Sequence, residues 1–205
     1  MKLMYRLITS ILIIFITACA TPITKEQLNN IKTIGLVNSF PENPNYLSIG
    51  LTIFENETSS LNSLSFKQYL TDISSSYLKD KGYKVSIYEN RELAEKANLD
   101  MVIELLPRDA YQKPGTYGYG FYQRTLFGAN VSNAQSYVAL NISPESKYFS
   151  NAFAAYYKEN FDNIHLDALP EKWDNIPTDD RNKMIDNLKN NINKTVLGLI
   201  QEFGL

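Results

Sequence analysis

Apolar residues recur along the chain with two periods, and the switches between them mark the elements. Ile34, Leu36 and Val37 between turn formers predict a first strand over residues 31–40, ended by Pro41-Glu42-Asn43-Pro44. Leu47, Ile49, Leu51 and Ile53 alternate and predict a second strand over 46–54. From Ser65 the period becomes helical. Phe66, Tyr69, Leu70, Ile73, Tyr77 and Leu78 share one face, Ser65 and Gln68 have capping-box spacing, and Gly82 stands where a helix ends. Residues 83–88 return to alternation, with Tyr83, Val85 and Ile87 on one side. Residues 91–98 predict a short helix. Residues 99–106 are nearly continuously apolar, which predicts a central strand buried on both faces, and Pro107 closes it.

Residues 109–133 carry no period. Beyond them Ala134, Ser136, Val138, Leu140 and Ile142 alternate as a strand over 134–142, Pro144-Glu145-Ser146 reads as a turn, and 147–157 as the hairpin partner. A polar connection holding Leu169-Pro170 and Trp173 leads to the last helix. Thr178 is its expected N-cap after Pro177, and Asp179 and Asp180 sit where the helix dipole favours negative charge. Ile185, Leu188, Ile192, Thr195, Leu199 and Phe203 form its apolar stripe, and Gly204 ends it. The order of elements predicts a single-domain α/β (α+β) two-layer sandwich, a mixed β-sheet packed by two or three helices.

The front of the chain follows neither period. Lys2 and Arg6 precede an apolar stretch over 7–17, and Ile16-Thr17-Ala18-Cys19 follows. A helix of that length covers only about half of a ~30 Å hydrocarbon core, so the stretch reads as a secretory signal core rather than a span. An uncleaved anchor, or an ordinary secretory signal followed by a buried Cys19 thiol, is the competing reading. The tetrapeptide resembles the bacterial lipobox, small residues ending in an obligatory cysteine. The resemblance implies that residues 1–18 are removed and that Cys19 becomes a lipid-modified amino terminus. A thiolate is the side-chain nucleophile that takes a diacylglyceryl group as a thioether. At about 0.8 kcal/mol per buried methylene, two or three acyl chains hold a protein firmly on a membrane. Ala20, where family sorting rules place Asp for inner-membrane retention, implies the outer membrane, facing the periplasm. The expected division is a signal peptide over 1–18, a lipidated tether over 19–30 and a periplasmic α/β domain over 31–205. The element order of that domain resembles small α/β modules of envelope lipoproteins, such as the curli-export lipoprotein and the amino-terminal domain of TolB.

Loss of Lys2 and Arg6 takes the basic residues from 20 to 18 against 22 acidic ones, a net charge near −4. A mildly acidic domain with no basic cluster is a poor partner for nucleic acid, and an equally poor one for anionic lipid through charge. With the only cysteine consumed by lipid, no intramolecular disulfide forms. Fourteen Tyr and ten Phe argue against disorder.

The sequence offers little chemistry. His165 is the only histidine, Glu55 with Glu57 and Asp179 with Asp180 are adjacent pairs only, and there is no Gly-x-Ser-x-Gly elbow. Gly115-Thr116-Tyr117-Gly118-Tyr119-Gly120 has the wrong spacing for a dinucleotide loop. No metal, cofactor or catalytic residue is expected. The most unusual segment is 111–128, with four of the nine glycines, four Tyr and two Phe. Its rings either fold back to seal the core or stand exposed as an adaptable contact. In the second case Tyr117, Tyr119, Phe121, Tyr122 and Arg124 are the partner-binding residues. The leading expectation is a non-enzymatic outer-membrane lipoprotein serving envelope assembly, scaffolding or transport. It would be held to the membrane through Cys19, with an envelope protein as partner and no role for nucleic acid. The alternative is a lipoprotein that binds glycan, peptide or lipid through residues 111–127. A hydrolase built on His165 ranks last.

Overall fold

The computed structural model describes residues 23–50, 52, 56–113, 115–126, 129–130, 134–149, 156–166, 170 and 172–205. The signal stretch, Cys19 and Ala20, Leu51, Ile53, Glu55 and residues 150–155 lie outside the described residues.

The expected tether is folded over much of its length. Helix α1 (Lys25–Asn29) is held by a capping box in which Thr24 and Gln27 satisfy each other's backbone N–H groups, and it buries Leu28. Ile23 already packs against the core. The domain therefore begins some eight residues before the expected boundary at 31.

Strands β1 (Thr33–Asn38), β2 (Asn45–Ile49), β3 (Glu57–Ser60), β4 (Lys84–Tyr88), β5 (Met101–Pro107), β6 (Tyr119–Leu126), β7 (Ala129–Asn130), β8 (Ala134–Ser146) and β9 (Tyr156–Ile164) form one mixed sheet. β1 runs parallel to β4 and β5, and β2 parallel to β6; the other pairings are antiparallel. β9 occupies one edge of β8 from Ala134 to Ile142. β6 and β5 must then both lie along the other edge, opposite 135–138 and 140–146, end to end. β1 and β2 lie end to end beside them. The sheet is thus built on two long lines, each broken in the middle, at residues 39–44 and 108–118.

Alternation sorts the side chains onto two faces. On the inner face Ile34, Leu36, Met101, Ile103, Leu105, Val138, Leu140 and Ile142 meet helices α2 (Lys67–Asp80) and α4 (Thr178–Phe203). On the outer face Val37 and Val102 meet Ala94 of the short helix α3 (Arg91–Glu95). Gly35 permits that contact, since a Cβ there would come within 2.6 Å of Leu99. The stripe on α4 is broader than expected: Met184, Asn191, Val196 and Ile200 are buried beside Leu188, Ile192, Thr195, Leu199 and Phe203, while Ile185 is only partly buried. Gly204 ends the helix at φ +102°.

Several local expectations are corrected. Ser65 does not cap α2; Phe66 holds that position without a side-chain bond, and the Ser65 hydroxyl donates to Glu42 instead. Pro144 does not turn the chain, because β8 continues to Ser146. β9 pairs only up to Ile142, so Pro144 lies where β8 has become an edge strand that tolerates a missing donor. The hairpin partner is Tyr156–Ile164, not 147–157. The stretch expected to be irregular contains β6, eight residues long.

Candidate interaction surface

The break between β5 and β6 is a strap, described at residues 108–113 and 115–118, that lies on the outer face. Its two ends meet at one residue: Arg108 N–H donates to Ala139 O at 3.0 Å, and Ala139 N–H donates to Gly118 O at 2.7 Å. Gly118 N–H also donates to Arg108 O at 2.9 Å, so the strap is closed at its base. Farther out, Asp109 bridges Tyr117, Ala110 N–H donates to Thr116 O, and the Thr116 hydroxyl donates to Lys113 O. The strap's glycines serve this path. Gly118 turns at φ +69°, where a Cβ would press on Pro107 at 3.2 Å.

Lys113 pins the strap to the sheet. Its ammonium stands 4.3 Å from the Tyr122 ring centroid and 5.2 Å from that of Phe161, and it donates to Gln135 Oε1. Gln135 passes the chain on by donating to Asn163 at 2.7 Å. Burial, with help from nearby Arg124, pulls the lysine pKa below its ordinary value. On the side toward β9, Tyr111 packs edge-on against Tyr157 at 4.9 Å, and its N–H donates to Glu159 at 2.6 Å. The Tyr157 hydroxyl donates to the same carboxylate, and burial followed by that contact pushes the phenol up. Tyr111 remains 78 % exposed and Tyr117 43 %.

The five residues expected to bind a partner are divided by the pleat of β6. Tyr117, Tyr122 and Arg124 belong to the outer surface, with Tyr122 half-buried beneath Lys113 and Arg124 exposed. Tyr119 and Phe121 point the other way and are fully buried. Tyr119 stacks on Phe40, donates to Pro41 O at 2.5 Å, and has its phenol pushed up by burial. Phe121 stacks on Trp173 at 5.3 Å. These two are core residues, and the expectation that they present exposed rings is corrected. Strand pairing, not chain proximity, brings Tyr157, Glu159, Phe161 and Gln135 under the strap, so no local pattern marks them as part of this surface.

Trp173 is buried between Tyr46 and Phe121, as a capping aromatic would be. His165 is exposed. Among the described residues no three His, Cys, Asp or Glu side chains are grouped to hold a metal, and no helix is long and apolar enough to cross a membrane.

No protein-family model matches the chain, and no curated protein matches it. Among solved structures, it is similar to the crystal structure of protein XCC0632 from Xanthomonas campestris, described with the family model DUF330. That likeness covers 80 % of this chain and 78 % of the other, at 12 % identity and a TM-score of 0.39.

Proposed function

We propose that this chain is a lipid-anchored protein of the outer membrane whose periplasmic domain holds an envelope protein and converts no substrate. The anchor rests on the lipobox-like Ile16-Thr17-Ala18-Cys19. The partner rests on one observation: Tyr111 and Tyr117 are exposed on a strap whose base and middle are fixed. Tyrosine gives large contact area at little entropic cost, and a strap already held in place loses little further freedom on binding.

A photo-crosslinking amino acid placed at position 111 in intact cells tests the reading, with position 183 on α4 as control. A discrete protein adduct at 111 that is missing at 183 supports it. A co-purifying glycan or lipid without a protein adduct replaces it with the ligand-binding alternative. Absence of both sinks it.

A further inference from the structure

The whole-chain charge hides an asymmetry. The parallel strands β1, β4 and β5 all begin at one end of the sheet, where β8 finishes and where α1 and the last turns of α2 and α4 also lie. Exposed lysines gather at this pole: Lys25 on α1, Lys32 before β1, Lys79 and Lys81 at the end of α2, and Lys84 opening β4. Their proximity is fixed by pairing. Lys84 N–H donates to Lys32 O at 2.9 Å, and Lys32 and Lys81 line one groove of about 250 Å³ with Leu28 and Tyr83. Lys32 N–H also donates to Asp100, whose other oxygen holds the Lys147 ammonium at 2.7 Å. Asp100 is thereby neutralised and buried, while Lys147 leans on the exposed Tyr148 ring. Exposed carboxylates at the same pole are Glu26 on α1, Asp80 at the end of α2 and Glu202 in the last turn of α4; Glu202 is held by Lys158, and no ion pair joins Glu26 or Asp80 to the five lysines among the described residues.

The first described residue, Ile23, stands two residues before α1. Ile23 is already packed on the core, so only four residue steps separate it from Cys19. Fully extended they reach about 14 Å. A lipid on Cys19 therefore holds the lysine cluster near the headgroups, within a couple of the ~8–10 Å screening lengths of physiological salt.

We infer that the pole formed by Lys25, Lys32, Lys79, Lys81 and Lys84 is a docking face for an anionic phospholipid surface. It orients the domain upright, with the strap partway up its side and open to a partner. Basic residues near such a surface are attracted to it, and tyrosine at the rim suits the interfacial zone. This inference rests on the lipid-anchored reading.

The mature chain as purified from cell membranes, mixed with vesicles of phosphatidylcholine alone or with a third phosphatidylglycerol, tests both. Flotation reads attachment, and amine acetylation followed by mass spectrometry reads each lysine. The expected result is flotation with both vesicles. Labelling of Lys32, Lys81 and Lys84 should be several-fold slower on the anionic ones at low salt and unchanged at Lys172 and Lys183. The triple variant Lys32→Glu, Lys81→Glu, Lys84→Glu, folded by circular dichroism, should float equally yet lose protection at Lys25 and Lys79. Flotation with equal labelling on both surfaces overturns the docking face while leaving the anchor intact. Flotation with anionic vesicles alone, with the same lysines protected, overturns the anchor and supports the face. Flotation with neither overturns both.

Discussion

Phe40 and Tyr119 lie face to face, ring centroids 5.2 Å apart and planes within 6° of each other. Phe40 belongs to the break between β1 and β2, and Tyr119 follows the break between β5 and β6. One stack thus fastens both interrupted lines of the sheet. Tyr119 adds hydrogen bonds to Pro41 O and Glu42 O from the same hydroxyl. Removing the ring should cost far more than removing the hydroxyl. Tyr119→Ala should destabilise by about 3–5 kcal/mol and Tyr119→Phe by about 1–2 kcal/mol in urea unfolding. Equal effects would mean that the stack is not what joins the two breaks.

Exposed and buried rings of the Tyr/Gly-rich stretch should separate in experiment. Tyr111→Ser with Tyr117→Ser should leave the melting temperature nearly unchanged while lowering partner crosslinking. Phe121→Ser, stacked on Trp173, should destabilise by about 3 kcal/mol or more. The comparison needs only thermal melts and the crosslinking yield.

Asn191 is fully buried on α4, where a hydrophobic stripe alone would have placed leucine. It donates to Ser136 and to Asn160 O, and accepts from Asn160 and Thr195. Asn191→Leu should destabilise by about 2–4 kcal/mol despite its added apolar surface, because it strands several buried polar groups. Chemical denaturation checks the sign; a stabilised variant would remove the network's role.

Asp100 fastens the start of β1 to that of β5. Bonds from the Lys147 ammonium and then from the Lys32 and Thr33 N–H groups hold its carboxyl well below the usual range. A depressed folded pKa gives stability that is complete above the unfolded value near 3.9 and lost as pH falls below it. The stability gap between the parent and Asp100→Asn should therefore be constant from about pH 7 to 5 and close below about pH 4. A gap that widens on acidification would contradict the assignment.

Cys19→Ser should accumulate as an unprocessed, unlipidated precursor with slower gel mobility. A variant that is processed and fractionates like the parent removes the lipobox reading.

The sequence made some elements legible for plain reasons. β1 and β5 carry apolar runs buried on both faces, and α4 carries a long stripe ended by glycine. β6 escaped because its outer face is partly covered as well as its inner one, Arg124 excepted. Tyr119, Phe121 and Gln123 enter the inner layer while Tyr122 lies under Lys113, so the polarity contrast that marks a half-buried strand vanishes. Gly120 added to the disguise, although it is there because a Cβ would overlap the Asn45 backbone, 2.8 Å from its N. β9 failed for the opposite reason. Its inward residues Lys158 and Asn160 are polar and meet Glu202 and Asn191 on α4. Burial there follows pairing, which hydropathy does not record. The interaction surface was half legible: residues 111–124 drew notice for composition, but nothing local announced Tyr157, Glu159 or Phe161.

The chain leaves and re-enters the sheet opposite the single residue Ala139, so the span between is decoupled from the strand register. Flexible residues added there, doubling the span, would cost only about 0.6 kcal/mol in closure entropy beyond any strap contacts they displace. An epitope tag spliced after Gln112 should leave the strand pairing on either side intact while displacing the Tyr111 and Lys113 contacts beside it.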